Sequence, residues 1–240
     1  AEQVQSFEAG PDGRGARDVT DKGSLEADLV IMSVGVRPNS ELAKNAGLNV
    51  SERGGVLVDE TLRTSDPAIF AGGDCVLVPH ALTKAPAYLP LGSMANRQGR
   101  VIGTNLAGGK ATFPPVVGTW CVKLFDLAAA GTGLTLPAAK AAGFDALCVH
   151  AGLLDRAHFY PEKGLMSLDL VVERGTGRVL GMQGLAAMGD ALVGKVDVVA
   201  ALLPSGLTVE TLSGLEMAYS PPFAAALDIL NVLGNVSENI

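Results

Sequence analysis

Hydrophobic residues along the chain fall into short runs of strand length and longer stretches with helical spacing. The segment Ala27 to Val34 is the clearest run, and continuous apolar runs are typical of strands covered on both faces. Ser40 is a suitable N-cap and Gly47 a suitable end for a short helix. Further strands are predicted at 56–58 and 68–71, and a longer helix at 91–106. This alternation before residue 112 is typical of parts of α/β domains.

The pattern changes after the proline pair at 114–115. Strands are predicted at 119–125, 145–150, 167–173 and 178–185, and helices at 136–143, 190–203 and 209–215. The tetrapeptide Arg174-Gly-Thr-Gly177 favours a tight hairpin between the last two strands. The second half of the chain therefore predicts an antiparallel sheet with helices on one side, an α+β module.

The composition excludes several classes of protein. Hydrophobic residues make up 48% of the 240 residues and charged residues 18%, which excludes a disordered chain. The longest uncharged run, Leu127 to Ala139, is interrupted by glycines and a proline, so no membrane span is predicted. A net charge of −7 without a basic stripe argues against a nucleic-acid partner.

The cysteines indicate the cellular compartment, and the first residues indicate whether the chain is part of a longer protein. Cys75, Cys121 and Cys148 are widely spaced, with no C-x-x-C pair, so neither a disulfide framework nor a metal site is expected. All three are interpreted as packing residues in a protein of the reducing cytoplasm. The chain opens at Ala1 without a signal sequence, as a strand and a polar turn that lead to the run at 27–34. This opening predicts a fragment of a longer protein.

The segment TSDPAIFAGGDC, at 64–75, is the most informative motif. A turn leads into a short apolar strand that stops at Gly72-Gly73 and presents Asp74 at its carboxyl end, where ligands of open α/β sheets bind. The two glycines allow close approach of a ligand, and a carboxylate accepts a hydrogen bond from a sugar-like hydroxyl. An ordinary Gly-Gly-Asp turn is the alternative interpretation of these three residues alone.

Taken whole, this segment resembles the second flavin-binding motif of the pyridine nucleotide-disulfide oxidoreductases. The residues in register are Thr64, Ile69, Phe70, Ala71, Gly73 and Asp74. The resemblance implies that Asp74, with Gly73 beside it, binds the ribityl chain of FAD.

Two flanking segments are similar to the same family. ADLVIMSVGVRPN, at 27–39, resembles the return from the nicotinamide-binding domain and implies that Gly35 lies close to NAD(P)H. LPLGSMANRQGRVIGTN, at 89–105, resembles the helix whose N-terminus points at the flavin ring. The amides of Leu91, Gly92 and Ser93 would stabilise negative charge on reduced flavin, because they have no partner within the helix. A plain turn glycine and a water-capped helix start are the alternatives.

From residue 113 onward the chain resembles the family's dimerisation domain. The segment AYSPPF, at 218–223, replaces the His-Glu couple of glutathione-reductase-like members and is similar to coenzyme A disulfide reductases, NADH oxidases and NADH-dependent persulfide reductases. AHFYPE, at 157–162, matches a second tyrosine position of that subgroup. The resemblance implies that Tyr160 and Tyr219 reach the partner's redox cysteine and a bound thiol across a homodimer, where a phenol donates a hydrogen bond or moves a proton. Packing at a Tyr-Pro corner is the alternative.

The chain departs from the family at several positions. Of a Lys-Asp-Pro pattern near its end only Asp228 and Asn231 remain, which puts phosphate binding by coenzyme A there in doubt. The sequence contains no G-x-G-x-x-G, so both dinucleotide fingerprints are missing. The family's redox cysteine motif is missing as well.

These observations predict an α/β plus α+β chain with remnants of two Rossmann-like domains. Residues 1–36 would end an NAD(P)-binding domain, 37–112 would be the C-terminal segment of an FAD-binding domain, and 113–240 the dimerisation domain. The implied parent passes electrons from NAD(P)H through FAD to a cysteine-centred disulfide, persulfide or oxygen. The alternatives are a catalytically inactive dimerisation module, or part of a rubredoxin- or ferredoxin-NAD reductase.

Overall fold

The computed structural model describes residues 2–11, 13 and 15–238. The chain divides into two compact units between Arg37 and Pro38. The first unit contains one antiparallel sheet in which three strands follow each other in sequence order. Its strands are β1 (Val4–Ala9), β2 (Gly15–Thr20) and β3 (Ser24–Glu26). The turn between β1 and β2 includes residues 12 and 14, which lie outside the described residues.

The predicted strand at 27–34 is wrong. This segment has no regular secondary structure, and the side chains of Leu29, Ile31 and Val34 are 79%, 79% and 86% exposed. A strand covered on both faces needs a neighbouring strand to satisfy its backbone groups. No strand among the described residues of the first unit pairs with it.

The second unit begins with a small sheet and a long helix. Its elements are α1 (Glu41–Asn45), β4 (Val56–Leu57), β5 (Val76–Pro79), β6 (Pro86–Ala87) and α2 (Gly92–Leu106). β4 and β5 are parallel, and β6 joins β5 in the antiparallel direction. The helices predicted at 40–47 and 91–106 and the strand at 56–58 are confirmed, with Gly47 at a φ of 78° after α1. The predicted capping by Ser40 is wrong, because its side chain makes no hydrogen bond to the start of α1.

The strand predicted at 68–71 is wrong, because this segment forms only one bridge, between Arg63 and Phe70. Two backbone hydrogen bonds flank that bridge, from Thr64 to Ile69 and from Ala71 to Leu62. Leu62 has a φ of 66°, outside the extended region, so the ladder cannot continue past it.

The rest of the second unit is an α+β module, as predicted. Its sheet has the order β7-β8-β11-β10-β9, with every neighbouring pair antiparallel. The strands are β7 (Trp120–Leu124), β8 (Leu127–Gly133), β9 (Ala146–Leu154), β10 (Leu165–Glu173) and β11 (Val179–Ala186). The helices are α3 (Leu136–Ala141), α4 (Gly189–Leu202), α5 (Val209–Ser213) and α6 (Ile229–Ser237). β5, β6, β8 and α6 were not predicted.

Two hydrophobic clusters hold the second unit together. The larger one joins one face of the five-stranded sheet to the helices, with Leu168, Leu170 and Leu192 fully buried. The smaller one lies around Val76 and Phe113. Full burial of such side chains contributes about 1.5–3 kcal/mol each, so both clusters fix the elements that carry the site.

Candidate functional site

Asp74 lies in a turn that is held against α2. Gly73 has a φ of 86°, a conformation that favours glycine, and its N–H donates to Oε1 of Gln98 at 2.6 Å. A Cβ at Gly72 would lie 2.8 Å from Cδ1 of Ile102, so a side chain there would clash with α2. The two glycines therefore bring the backbone against the helix and leave Asp74 exposed beside it.

The structure corrects the position of Asp74. The sequence placed it at the carboxyl end of a strand at 68–71, whereas it lies two residues before the start of β5. The carbonyl of Cys75, between them, accepts from the N–H of Val56. The positive φ angles of Leu62 and Gly73 bound the short segment and keep it from forming a strand. The Asp74 carboxylate makes no hydrogen bond or ion pair with any described residue, so it can accept hydrogen bonds from a ligand.

Tyr88 lies near this carboxylate and was not predicted. Desolvation raises the pKa of Tyr88, and the negative charge of Asp74 raises it further. The residue sits between β6 and α2 and is half-buried. No local sequence signal marks Tyr88, because the pairing of β5 with β6 is what brings it near Asp74.

The N-terminus of α2 presents free backbone donors. Leu91 is the N-cap residue in an extended conformation, and its side chain makes no capping bond. Within the described part of the chain, the N–H groups of Gly92 and Ser93 find no acceptor, and both residues are exposed. These donors lie at the positive end of a fifteen-residue helix, which favours negative charge there.

The backbone amide of Leu91 is not free, contrary to the prediction from the sequence. Its N–H donates to the carbonyl of Leu89 at 2.9 Å, in a tight turn that leads into the helix. The sequence predicted three available amides, and the structure leaves those of Gly92 and Ser93.

The carboxylate and the free amides are brought together by one helix. Gln98 of α2 binds Gly73, and a Cβ built on Gly73 would lie 3.8 Å from Cβ of Ala95 in the first turn. Asp74 therefore lies beside the start of α2. A carboxylate acceptor next to unpaired amides fits a ligand that has hydroxyl groups at one position and a site of negative charge at another.

Gly35 lies in the first compact unit. It is exposed with a φ of 93°, and a Cβ there would meet no atom within 4 Å. The open space around it fits close approach of a ligand, and its assignment to NAD(P)H stays a prediction.

The segments that carry Tyr160 and Tyr219 meet in the second unit. The N–H of Ala157 donates to the carbonyl of Pro221 at 3.4 Å, which joins the turn of Tyr160 to the loop of Tyr219. Tyr160 is half-buried and Tyr219 is 51% exposed. Neither hydroxyl makes a hydrogen bond to a residue that the structure describes, so both remain available to a ligand or partner.

Arg156 is a further charged group beside Tyr160. Its Nε and Nη2 atoms donate to Oδ2 of the buried Asp155 at 2.9 and 2.7 Å. This hydrogen bonding raises the pKa of Arg156, and the neighbouring Glu162 and Tyr160 add to the effect. Asp155 also accepts from the N–H of Gly164, on the other side of Tyr160 in the sequence. The contacts of Asp155 therefore close the turn that carries Tyr160.

The cysteines do not all pack as predicted. Cys75 is half-buried with its Sγ 3.5 Å from the carbonyl of Gly72, but Cys121 and Cys148 are exposed on the sheet. Every residue of β7, which carries Cys121, is exposed, and Cys148 lies on the uncovered face of β9. The sequence pattern did not reveal this exposure. Although the residue is exposed as a whole, partial desolvation of its thiol raises the pKa of Cys148, and the charge of Asp169 adds to the shift.

The described residues contain neither a candidate metal site nor a helix that could span a membrane. Among residues 2–11, 13 and 15–238, no group of three or more His, Cys, Asp or Glu side chains is placed to hold a metal ion. No helix in this part of the chain has the length and apolar character needed to cross a membrane.

Comparison with known proteins gives two family matches. Residues 2–99 match the pyridine nucleotide-disulphide oxidoreductase family, and residues 120–230 match the dimerisation domain of pyridine nucleotide-disulphide oxidoreductases.

Individual relatives resemble the chain over most of its length. An NAD(P)H sulfur oxidoreductase (CoA-dependent) of Pyrococcus furiosus is 36% identical over 91% of this chain and 49% of its own length. The crystal structure of an FAD-dependent pyridine nucleotide-disulphide oxidoreductase from Desulfovibrio vulgaris is 50% identical, with a TM-score of 0.85 over 99% of this chain and 55% of that one. An NAD-dependent persulfide reductase from A. fulgidus is 41% identical, with a TM-score of 0.93 over 99% and 44%. The chain thus spans about half the length of these relatives.

Proposed function

Because the chain belongs to the pyridine nucleotide-disulphide oxidoreductase family, we propose that it forms part of an enzyme that passes electrons from NAD(P)H through FAD to a cysteine-centred disulfide, persulfide or oxygen. The observation that carries this proposal is the arrangement at α2. An exposed carboxylate, Asp74, lies beside the free first-turn amides of Gly92 and Ser93.

The residues at α2 fit FAD. Asp74 is an acceptor for a ribityl hydroxyl, and Gly72 and Gly73 let the turn that carries it pack closely against α2. The amides of Gly92 and Ser93, at the positive end of the helix dipole, would stabilise negative charge on a flavin ring. FAD held by these residues would supply two-electron redox chemistry between NAD(P)H and the acceptor.

Tyr160 and Tyr219 supply proton chemistry in this proposal. A phenol can donate a hydrogen bond to a thiolate and return a proton to it, and both hydroxyls lack a protein partner among the described residues. The bond between Ala157 and Pro221 supports a joint role, because it holds the two segments together. The substrate class that fits is a small thiol, disulfide or persulfide.

The matched dimerisation domain supports assembly as a homodimer. The 240-residue chain should sediment as a dimer at micromolar concentration, since a specific interface buries about 1,200–2,000 Å² in total. A monomer under these conditions contradicts the proposed assembly. The three free cysteines support a reducing compartment, the cytoplasm.

The chain by itself is proposed to be inactive. Its sequence has neither a G-x-G-x-x-G fingerprint nor the family's redox cysteine motif. Purified alone it should therefore hold little or no flavin, and absorbance in the flavin band measures this.

The test of the function is an anaerobic titration of the enzyme that contains this chain. Addition of NADH or NADPH should bleach the flavin absorbance, and a small disulfide or persulfide should restore it. A flavin that is not reduced by either nucleotide contradicts the proposal. Restoration by a rubredoxin or ferredoxin, and not by a thiol-type acceptor, would favour the rival reductase.

A further inference from the structure

The segment that carries Tyr219 is an unusually long ordered loop. Residues 214–228 join α5 to α6 without regular secondary structure, and they present Tyr219 and Phe223 to solvent at 51% and 77% exposure. A loop of this length loses much conformational entropy when it is ordered, so it needs specific anchors. The anchors decide where Tyr219 lies.

The start and middle of the loop are held by hydrogen bonds. Nδ2 of the buried Asn231 lies 3.3, 3.0 and 3.0 Å from the carbonyl oxygens of Leu212, Ser213 and Leu215. Further along, the carbonyl of Pro221 accepts from Ala157. These contacts fix the loop to α6 and to the turn of Tyr160.

The end of the loop is held by a buried ion pair. Asp228 is the N-cap residue of α6, with Oδ1 accepting from the N–H of Leu230 at 3.0 Å, and its Oδ2 pairs with Nζ of Lys195. The side chains of Asp228 and Lys195 are only 4% and 15% exposed. A charge pair so far removed from water leaves an uncompensated charge when one partner is lost.

Lys195 connects this end of the loop to the sheet. It lies on α4, whose residues Leu192, Val196 and Val199 are at most 1% exposed in the larger hydrophobic cluster. The position of the ammonium group is therefore set by the packing of α4 on β8 and β11. Because Lys195 pairs with Asp228, the ammonium group also restrains the position of the end of the loop.

We propose that Lys195 is a positioning residue for Tyr219: its ion pair with Asp228 fixes the end of the 214–228 loop and thereby the place of the Tyr219 ring beside the Tyr160 turn. The consequence for catalysis rests on the proposed function. The restraint on the loop does not, and it is measured without flavin or substrate.

The experiment uses the 240-residue chain labelled with 3-fluorotyrosine and observed by ¹⁹F NMR. The chain has three tyrosines, so Tyr-to-Phe variants assign every resonance. Lys195→Gln should shift the Tyr219 resonance towards that of the free amino acid and narrow it, because the ring becomes mobile. Tyr88, which lies near Asp74, should keep its shift. Lys195→Arg keeps the charge and should keep the wild-type resonance.

Asp228→Asn separates the ion pair from the helix cap, since asparagine also accepts from the N–H of Leu230. It should mobilise Tyr219 as Lys195→Gln does, and it supplies the result if the lysine variant does not fold. Lys140→Gln, at an exposed position of α3, is the matched control and should change no resonance.

An unchanged Tyr219 resonance in the Lys195→Gln or Asp228→Asn chain overturns the proposal. So does equal mobilisation by Lys195→Arg, or a shift of all three resonances, which indicates general loss of structure. No flavin takes part in this experiment, so its outcome is independent of the proposed function. If the Lys195→Gln chain shows a mobile Tyr219 but the enzyme fails the NAD(P)H titration, the restraint on the loop stands and only the proposed activity is wrong.

Discussion

The N–H of Gly73 donates to Oε1 of Gln98 at 2.6 Å, across twenty-five positions of sequence. This bond ties the turn before β5 to the middle of α2 and thereby sets Asp74 beside the start of the helix. Gln98 is only 2% exposed, so its amide group must be satisfied inside the protein. The candidate flavin site depends on this contact more than on the local turn.

Gln98→Leu tests this contact. The variant leaves the Gly73 N–H without its acceptor in a partly buried place, and we expect it to lower the free energy of unfolding by about 1–3 kcal/mol. Urea denaturation measures the loss. Asn96→Leu, on the exposed side of α2, is the control and should change stability by less than about 0.5 kcal/mol. Equal effects of both variants contradict a specific role for Gln98.

The backbone of Gly73 gives a second test. Gly73→Ala places a side chain at a φ of 86° and should cost about 1–2 kcal/mol, measured by thermal unfolding. The matched variant is Gly103→Ala, in α2, where an added Cβ meets no atom within 4 Å. It should stabilise the chain by about 0.5–1 kcal/mol, because alanine suits a helix interior better. The two variants should therefore change the free energy of unfolding in opposite directions. A Gly73→Ala chain that is as stable as the wild type contradicts the turn geometry.

His80 predicts a pH dependence of stability. Burial lowers its pKa below the usual 6.5, the charge of Lys84 lowers it further, and a backbone hydrogen bond with Val117 opposes the shift only in part. Its Nδ1 accepts from the N–H of Leu82 at 3.2 Å, which favours the neutral ring. As the pH falls below about 6.5, the unfolded chain binds the proton first, so the free energy of unfolding decreases towards the depressed pKa.

His80→Asn removes this titration and retains a side-chain acceptor. Urea denaturation at pH 7.5 and 5.5 should show a larger loss of stability for the wild type than for the variant. The window lies above the range where most carboxylates titrate. An identical pH dependence of both chains shows that His80 does not contribute.

Tyr219→Phe tests the proton role in the enzyme that contains this chain. The ring and its packing stay, and one hydroxyl is lost, so stability should barely change. Turnover with a disulfide or persulfide should fall by about 10²-fold, the low end for general acid–base groups, since Tyr160 remains. Flavin reduction by NADH should stay unchanged in stopped-flow measurements. Equal losses in both half-reactions indicate a packing role for Tyr219.

Local signals were sufficient for much of the fold. Gly47 ends a helix that the structure confirms, whereas the predicted side-chain cap by Ser40 is absent. Arg174-Gly-Thr-Gly177 lies in the hairpin between β10 and β11. These features depend on residues close in sequence. Turn and cap chemistry therefore predicts them without knowledge of the tertiary structure.

The errors share a physical cause, which is dependence on distant partners. The run at 27–34 has strand composition but lacks a neighbouring strand among the described residues. β8 was missed because its alanines and glycines have low strand propensity, although it is paired on both sides by β7 and β11. α6 carried a usable signal, since Asp228 precedes an amphipathic stretch and caps it.

The candidate site was predictable in part. The motif at 64–75 identified Asp74 and Gly73 without any structural information. Their position relative to α2 depends on Gln98 and Ile102, whose contacts no local pattern encodes. The turn at Leu89, which uses the Leu91 amide, likewise follows from backbone geometry and not from residue type.

The most direct test of the central claim is the dissociation constant of FAD from the enzyme that contains this chain, with and without Asp74→Ala. The variant loses a charge-assisted hydrogen bond of about 1.5–3 kcal/mol, so flavin affinity should fall roughly 10- to 150-fold. Asp66→Ala, which removes an exposed carboxylate from the same segment, is the matched control and should leave the affinity unchanged. If the Asp74 variant holds FAD as tightly as the wild type, the assignment of this site to the flavin is wrong.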